Sequence, residues 1–214
     1  MTIIYCYDAY CGWCYGFSSV MKRVAEENAD RFTFEVLSGG MINEPRSIGA
    51  MANYIQTAYK TVEEYSGVKF GEDYLWHIFN PDKSDWFLHS EKPAIALCIF
   101  KEYYPDKQVQ FASDIQYANL YEGRDLTDDE AYRHLLEKYN IPADAFYKHL
   151  HSEEYKEKAY YEFALVKQLQ VTGFPTVLLQ ASESKFYLLA RGFTPYEVFN
   201  QRIESVVKEL SDKG

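Results

Sequence analysis

Cys11-Gly12-Trp13-Cys14 follows a short apolar run, Thr2-Ile3-Ile4-Tyr5-Cys6-Tyr7, and opens a helical stretch, Tyr15 to Ala29. The run before the motif is rich in β-branched and aromatic residues and reads as a strand. After it, Cys14, Phe17, Val20, Met21, Val24 and Ala25 recur at helical spacing. Cys14 therefore belongs to an inward stripe, and Cys11 sits one turn earlier, at the accessible end of the helix. Two thiols spaced this way can close a disulfide across one turn. The free backbone N–H groups of a helix start also favour a thiolate on the first of them.

Reading outward, Phe32-Thr33-Phe34-Glu35-Val36-Leu37 alternates as a strand and stops at Ser38-Gly39-Gly40. From about Pro45 to Gln170 the pattern predicts helix almost throughout. Ser47 to Tyr65, Pro93 to Tyr104 and Val109 to Tyr121 are candidate helices. Thr127-Asp128-Asp129-Glu130 reads as a capping box that launches a helix to Tyr139, Pro142 suits the first turn of the next, and Ser152 caps a longer one to Gln170. Thr176 to Gln180 and Lys185 to Leu189 form a hairpin signal around Ala181-Ser182-Glu183-Ser184. Thr194-Pro195-Tyr196-Glu197 is a second capping box for a final helix ending near Leu210, before a frayed tail, Ser211-Asp212-Lys213-Gly214. The order is βαβ, a helical block, then ββα. This predicts an α/β fold in which residues 1–44 and 171–214 form one unit and residues 45–170 an all-helical insertion.

The chain has 214 residues and a net charge of −10, which disfavours nucleic acid and anionic membranes as partners. No apolar run approaches the roughly 18 residues that span a bilayer. Met1 is followed almost at once by the first strand, with no signal-peptide pattern, so the expected location is the cytoplasm. In that compartment a CxxC is more often catalytic or metal-binding than structural. Tyrosine occurs 20 times. Its amphipathic ring suits core edges, and the sharper alternative is an aromatic surface for peptides.

By spacing alone, Cys11 and Cys14 are a redox dithiol, half of a zinc site, or an unreactive pair. Zinc usually takes four ligands. Cys6 and Cys98 are isolated, there is no second CxxC, and His77, His89, His134, His149 and His151 show no zinc-finger spacing. The redox reading is preferred, with no metal. Cys11 is then the nucleophile and Cys14 the resolving thiol, Gly12 lets a substrate chain approach, and Trp13 offers an apolar surface beside the sulfur. Cys6 and Cys98 read as core residues, His149 and His151 as solvated side chains, and Asp8 as a loop cap rather than a proton acceptor. Gly173-Phe174-Pro175-Thr176 stands at the entrance of the third strand, where Pro is expected.

Together with Tyr7-Asp8-Ala9-Tyr10-Cys11-Gly12-Trp13-Cys14, with Ser38-Gly39-Gly40 and with the helical insertion, that segment resembles the cis-proline loop of the thioredoxin superfamily. The resemblance covers the whole chain and is nearest to the DsbA-like branch, within it the FrnE-like cytosolic disulfide oxidoreductases. It implies a thioredoxin-like fold and thiol–disulfide exchange through Cys11 and Cys14 with no bound cofactor. It also implies that Phe174 offers its backbone to an incoming polypeptide and that Pro175 packs against the dithiol. The expected partners are protein or peptide thiols and disulfides, with glutathione or a thioredoxin-type protein for recycling. The apolar segment Pro93 to Phe100 is expected against the active-site helix. Where FrnE-like proteins commonly carry Pro after the first Cys this chain has Gly12, as thioredoxins and disulfide isomerases do. Two alternative functions remain: a glutathione-dependent transferase or isomerase of the kappa-class or 2-hydroxychromene-2-carboxylate isomerase type, and a redox-linked chaperone or binding module.

Overall fold

In chain order the elements are β1 (Thr2–Tyr7), α1 (Gly12–Glu27), β2 (Thr33–Ser38), β3 (Arg46–Ser47), α2 (Gly49–Ser66), α3 (Glu72–Phe79), β4 (Phe87–Leu88), α4 (Glu91–Tyr103), α5 (Gln108–Leu120), α6 (Arg133–Tyr139), α7 (Ala143–Leu150), α8 (Glu153–Gln168), β5 (Thr176–Ser182), β6 (Lys185–Arg191) and α9 (Tyr196–Ser211). This computed structural model describes residues 1–212; Lys213 and Gly214, the end of the expected frayed tail, lie outside the described residues.

The period-two alternation of β1 divides its side chains between two cores. Ile3, Tyr5 and Tyr7 enter the main one, while Ile4 and Cys6 join Leu37, Val166 and Leu178 in a smaller cluster. The strand order is β2-β1-β5-β6. β2 runs parallel to β1, as a strand returning through a helix must, and β5 and β6 add antiparallel. The hairpin turn is shorter than the sequence suggests: Ser182 already pairs with Lys185, leaving Glu183 and Ser184 between the strands. Phe17 of α1 meets Phe199 of α9 and Tyr5 of β1 edge-on, with ring centroids 5.7 and 6.2 Å apart, which places both helices on the main-core face.

The helical block is interrupted by one two-residue ladder, β3 against β4. Its principal contacts with α1 come from α5 and α2, and α4 packs behind α5 and against α7 and α8. The apolar segment Pro93 to Phe100 is thus buried mainly against α5, α7 and α8 rather than against α1. One apolar core runs continuously from the sheet through this block.

Three helix starts differ from the capping signals. Thr127 caps nothing, because Asp125 Oδ1 takes both its N–H and its hydroxyl at 2.8 and 2.7 Å. Asp128 instead accepts from Glu130 N, and a 3-10 turn, Asp129–Tyr132, precedes α6. Pro142 is the extended residue before α7 rather than inside it. Thr194 turns its hydroxyl to Gly192 O, so α9 starts behind Pro195 with no side-chain cap. Ser152 caps α8 as read, accepting from Tyr155 N at 3.5 Å. That helix stops at Gln168, two residues early, since Gln170 takes φ +58°.

Candidate active site

The first turn of α1 begins earlier than periodicity suggests because a sulfur caps it. Cys11 is extended (φ −80°, ψ 107°), and its Sγ accepts a hydrogen bond from Cys14 N at 3.1 Å, where a Ser or Asp oxygen would normally sit. The helix ends at Glu27, where Asn28 turns its side-chain amide back to Val24 O at 3.0 Å. Ahead of the cap, Cys11 N donates to Asp8 O at 3.1 Å and closes a turn. Gln116 of α5 braces that turn from the helical block, donating to Asp8 O at 3.0 Å and to Cys11 O at 3.4 Å.

Cys14 is completely buried, and Cys11 is only 6 % exposed. The sequence places Cys11 at an accessible end; the structure instead opens it to solvent through a cavity. Both thiols are free. Burial holds the Cys14 thiol well above its ordinary pKa, and neighbouring Cys11 adds to this. Asp8 caps the loop as read, accepting from Tyr10 N at 3.1 Å, and also reaches Met41 N at 2.8 Å in the segment after β2. Its burial raises its pKa, against the opposing pull of the Met41 and Tyr10 amides and the Ser90 hydroxyl.

Cys11, Gly12, Trp13, Thr172, Gly173 and Phe174 share one cavity of about 330 Å³. The CxxC and the loop before β5 therefore meet, although they stand far apart in sequence. The Phe174–Pro175 peptide bond is cis, Pro175 O accepts from Gly192 N at 2.8 Å, and Thr176 Oγ1 donates to Gly173 O at 2.7 Å. Phe174 precedes the β5 ladder, which begins at Thr176, so its backbone lies outside the sheet's pairing. Its ring lies over Gly39, where a Cβ would come within 2.0 Å of it. Pro175 is buried. Trp13 is half-buried and edge-on to Tyr65 at 6.2 Å. At Gly12 a Cβ would meet the Phe70 ring at 3.5 Å, an ordinary contact, so that position is less restrictive than Gly39.

The remaining candidates lie elsewhere. Cys6 is buried, and desolvation pushes its thiol up to about 12. Cys98 is buried beside Glu162 Oε1 at 3.4 Å and is likewise pushed up, first by burial. Glu162 itself is held by Lys101 Nζ at 2.6 Å and Ser38 N at 2.9 Å, a buried cluster that sequence reading missed. His149 is not solvated as expected; it is half-buried and stacked on Tyr155 at 4.6 Å, whereas exposed His151 pairs with Asp129 at 2.6 Å. Among the described residues, no three His, Cys, Asp or Glu side chains come together as metal ligands. The cavity wall was also missed, though it has a sequence signal: Met51, Tyr54, Ile55, Ala58, Tyr59 and Val62 recur at helical spacing along α2.

No curated protein matches the chain. Among solved structures, a Nitrosomonas europaea protein provisionally assigned as a protein disulfide isomerase superposes with a TM-score of 0.85 at 22% identity, covering 97% of this chain and 98% of that one. The cytosolic disulfide reductase DsbM of Pseudomonas aeruginosa superposes at 0.74 with 21% identity, over 97% and 99% of the two chains, and its structure with GSH at 0.72 with 22% identity, over 97% and 100%. At these identities the likeness shows the fold. No helix of the described residues is long and apolar enough to cross a membrane. The profile of the DSBA-like thioredoxin domain matches residues 2–204, essentially the whole chain. With its mixed sheet, its CxxC at the start of α1 and its proline loop in the same cavity, the chain belongs to the DsbA-like thioredoxin-domain family of thiol–disulfide oxidoreductases.

Proposed function

We propose that the protein exchanges disulfides through Cys11 and Cys14 in the direction of substrate reduction. The observation that carries the exchange chemistry is the Cys14 N–H aimed at Cys11 Sγ at 3.1 Å; the direction rests on the uncharged lining of the cavity. A fixed donor at a helix start stabilises negative charge on that sulfur, while burial keeps the Cys14 thiol protonated until it is used. The Cys11 thiolate attacks a substrate disulfide R–S–S–R′, forms the mixed disulfide Cys11–S–S–R and releases R′S⁻. Cys14 then loses its proton and attacks Cys11 Sγ, which releases RS⁻ and leaves the Cys11–Cys14 disulfide. Two electrons pass from the dithiol to the substrate, and an external thiol returns them. The balance closes with thiols alone, without a metal or bound cofactor.

In this reading Phe174 presents its unpaired backbone to an extended polypeptide, Pro175 fixes that loop, Gly12 leaves space, and Trp13 lines the approach. The position of Phe174 outside the ladder supports the first role. Glutathione or a thioredoxin-type protein would recycle the disulfide, and the likeness to a reductase described as cytosolic supports a cytoplasmic setting. Among the described residues lining the cavity there is no cation to stabilise the Cys11 thiolate further, which favours a reductant over a strong oxidant. The test is equilibration in glutathione buffers of graded ratio, reading the fraction of Cys11–Cys14 disulfide. We expect a potential of roughly −220 to −270 mV, near the cytosolic poise and thioredoxin. A value near −120 mV, that of a strong oxidant, would overturn the direction, and absence of the disulfide in every buffer would overturn the activity.

A further inference from the structure

An amphipathic helix ordinarily buries its apolar stripe in the core. On α2 the stripe is Met51, Tyr54, Ile55, Ala58, Tyr59 and Val62, and of these only Val62 is buried, while Tyr54 is 60 % exposed. Met51, Ile55 and Tyr59 are half-buried at the edge of the core, and together with Tyr54 and Ala58 they form one wall of the cavity at Cys11. Facing them are Met41, Phe70, Tyr74 and Phe174. Among the described residues that line this space, none carries a charge apart from Cys11 when it is the reacting thiolate. A carboxylate or ammonium group seated against the α2 wall would lose its water and find no charged side chain there, and a carboxylate would also be repelled by the Cys11 thiolate. The volume, about 330 Å³, is at the small end of ligand sites and suits one bulky group. The two methionines give the wall side chains that adapt to irregular shapes.

We propose that this cavity selects the substrate: the group beside the reacting sulfur is bulky, uncharged and hydrophobic, aromatic or branched aliphatic. The inference rests on the thiol–disulfide reading above and adds a substrate class to it. The covalent step is the exchange already described, and the cavity positions R while Cys11 attacks its sulfur. The hydrophobic group is the shared chemistry of two sources, a residue next to cysteine in a polypeptide and a low-molecular-weight hydrophobic disulfide. Glutathione, with its two carboxylates and ammonium group, does not have it.

Binding without reaction is measured first, on the full chain carrying both Cys11→Ser and Cys14→Ser. N-acetyl-S-benzylcysteine amide should bind at least ~10-fold tighter than its S-methyl analogue, the discrimination expected for added apolar surface in a hydrophobic site. Equal affinities overturn the proposal, whether or not the wild type has thiol activity. Ala58→Glu, on the half-buried wall, should reduce the ratio to near one, and Ala58→Leu should keep it. A ratio unchanged by Ala58→Glu, with folding verified by circular dichroism, also overturns the proposal, because the group is then seated elsewhere.

Exchange is measured next with reduced wild-type protein. Mixed disulfides of mercaptoethanol with benzyl thiol and with a Phe-Cys peptide should react at least ~10-fold faster than glutathione disulfide or a Glu-Cys peptide disulfide. Preference confined to the peptides identifies a polypeptide source, and preference confined to benzyl thiol a small-molecule one. Equal rates across all four overturn the proposal. If no disulfide reacts, the oxidoreductase reading fails, and the binding comparison still decides what the cavity accepts.

Discussion

Each residue of the site is fixed by a specific neighbour, so each substitution has its own expected result. With Cys11 as the proposed nucleophile and Cys14 as the proposed resolving thiol, Cys11→Ser should abolish exchange, and Cys14→Ser should accumulate a mixed disulfide at Cys11 that mass spectrometry detects. Gly12 is the first residue of α1, a position that tolerates proline, and its nearest neighbour leaves ordinary contact distance. Gly12→Pro is expected to raise stability by about 0.4–1 kcal/mol, read as an increase in Tm, through the lower entropy of the unfolded chain. Gly39→Ala should cost roughly 1–3 kcal/mol, because the added carbon collides with the Phe174 ring. It should also slow exchange with peptides by displacing the loop. Asp8 makes stability depend on pH. Its native pKa is raised by burial, so the native state holds the proton more tightly than the unfolded chain does. The penalty is absent in acid, below the unfolded value of about 4, and grows as pH rises through the native value. Asp8→Asn mimics the protonated side chain. Its stability relative to wild type should therefore increase with pH across that window in urea unfolding, and a flat difference would refute the assignment. Much of this was open to sequence reading. The two thiols, their order on the helix, the cap role of Asp8 and the strand-entry position of Pro175 follow from local patterns, and the meeting of the proline loop with the dithiol follows from the family resemblance. The near-burial of Cys11 does not, because it depends on chain segments far away that close over the motif.

At the scale of elements, strands and helices follow their apolar periodicities, while several helix starts do not follow their caps. Thr127 shows why: a capping box assumes that the Thr hydroxyl is unoccupied, and Asp125, two residues earlier, takes it. The competition is between two local acceptor–donor pairs, and only the folded loop decides it. The stripe on α2 is legible, but its use is not, since periodicity says that a face is apolar without saying what it faces. The buried Lys101–Glu162 pair was likewise hidden, because its members lie on α4 and α8. This pair joins α8 to the sheet through Ser38 N and Glu35. Glu162→Gln would leave Lys101 buried with only half-exposed Glu35 as counter-charge, and it should cost about 3 kcal/mol, the low end of losses for a broken buried pair. Denaturant unfolding would measure it, and a change below ~1 kcal/mol would mean that water compensates the charge.

For the whole molecule, the sheet places two distant parts of the chain at one end, and the helical block closes the space between them. β1 delivers the dithiol, β5 begins just after the proline loop, and α2 walls the opening. This arrangement explains why the site needs all three parts of the sequence, and why Gln116 ties the motif to the helical block. The sulfur cap has one more consequence. The atom proposed to react is also the atom that caps α1, so a change in its oxidation state should be registered by the amide of Cys14. A single backbone ¹H–¹⁵N resonance, isolated from solvent, should then act as a built-in gauge of the charge on Cys11 during turnover.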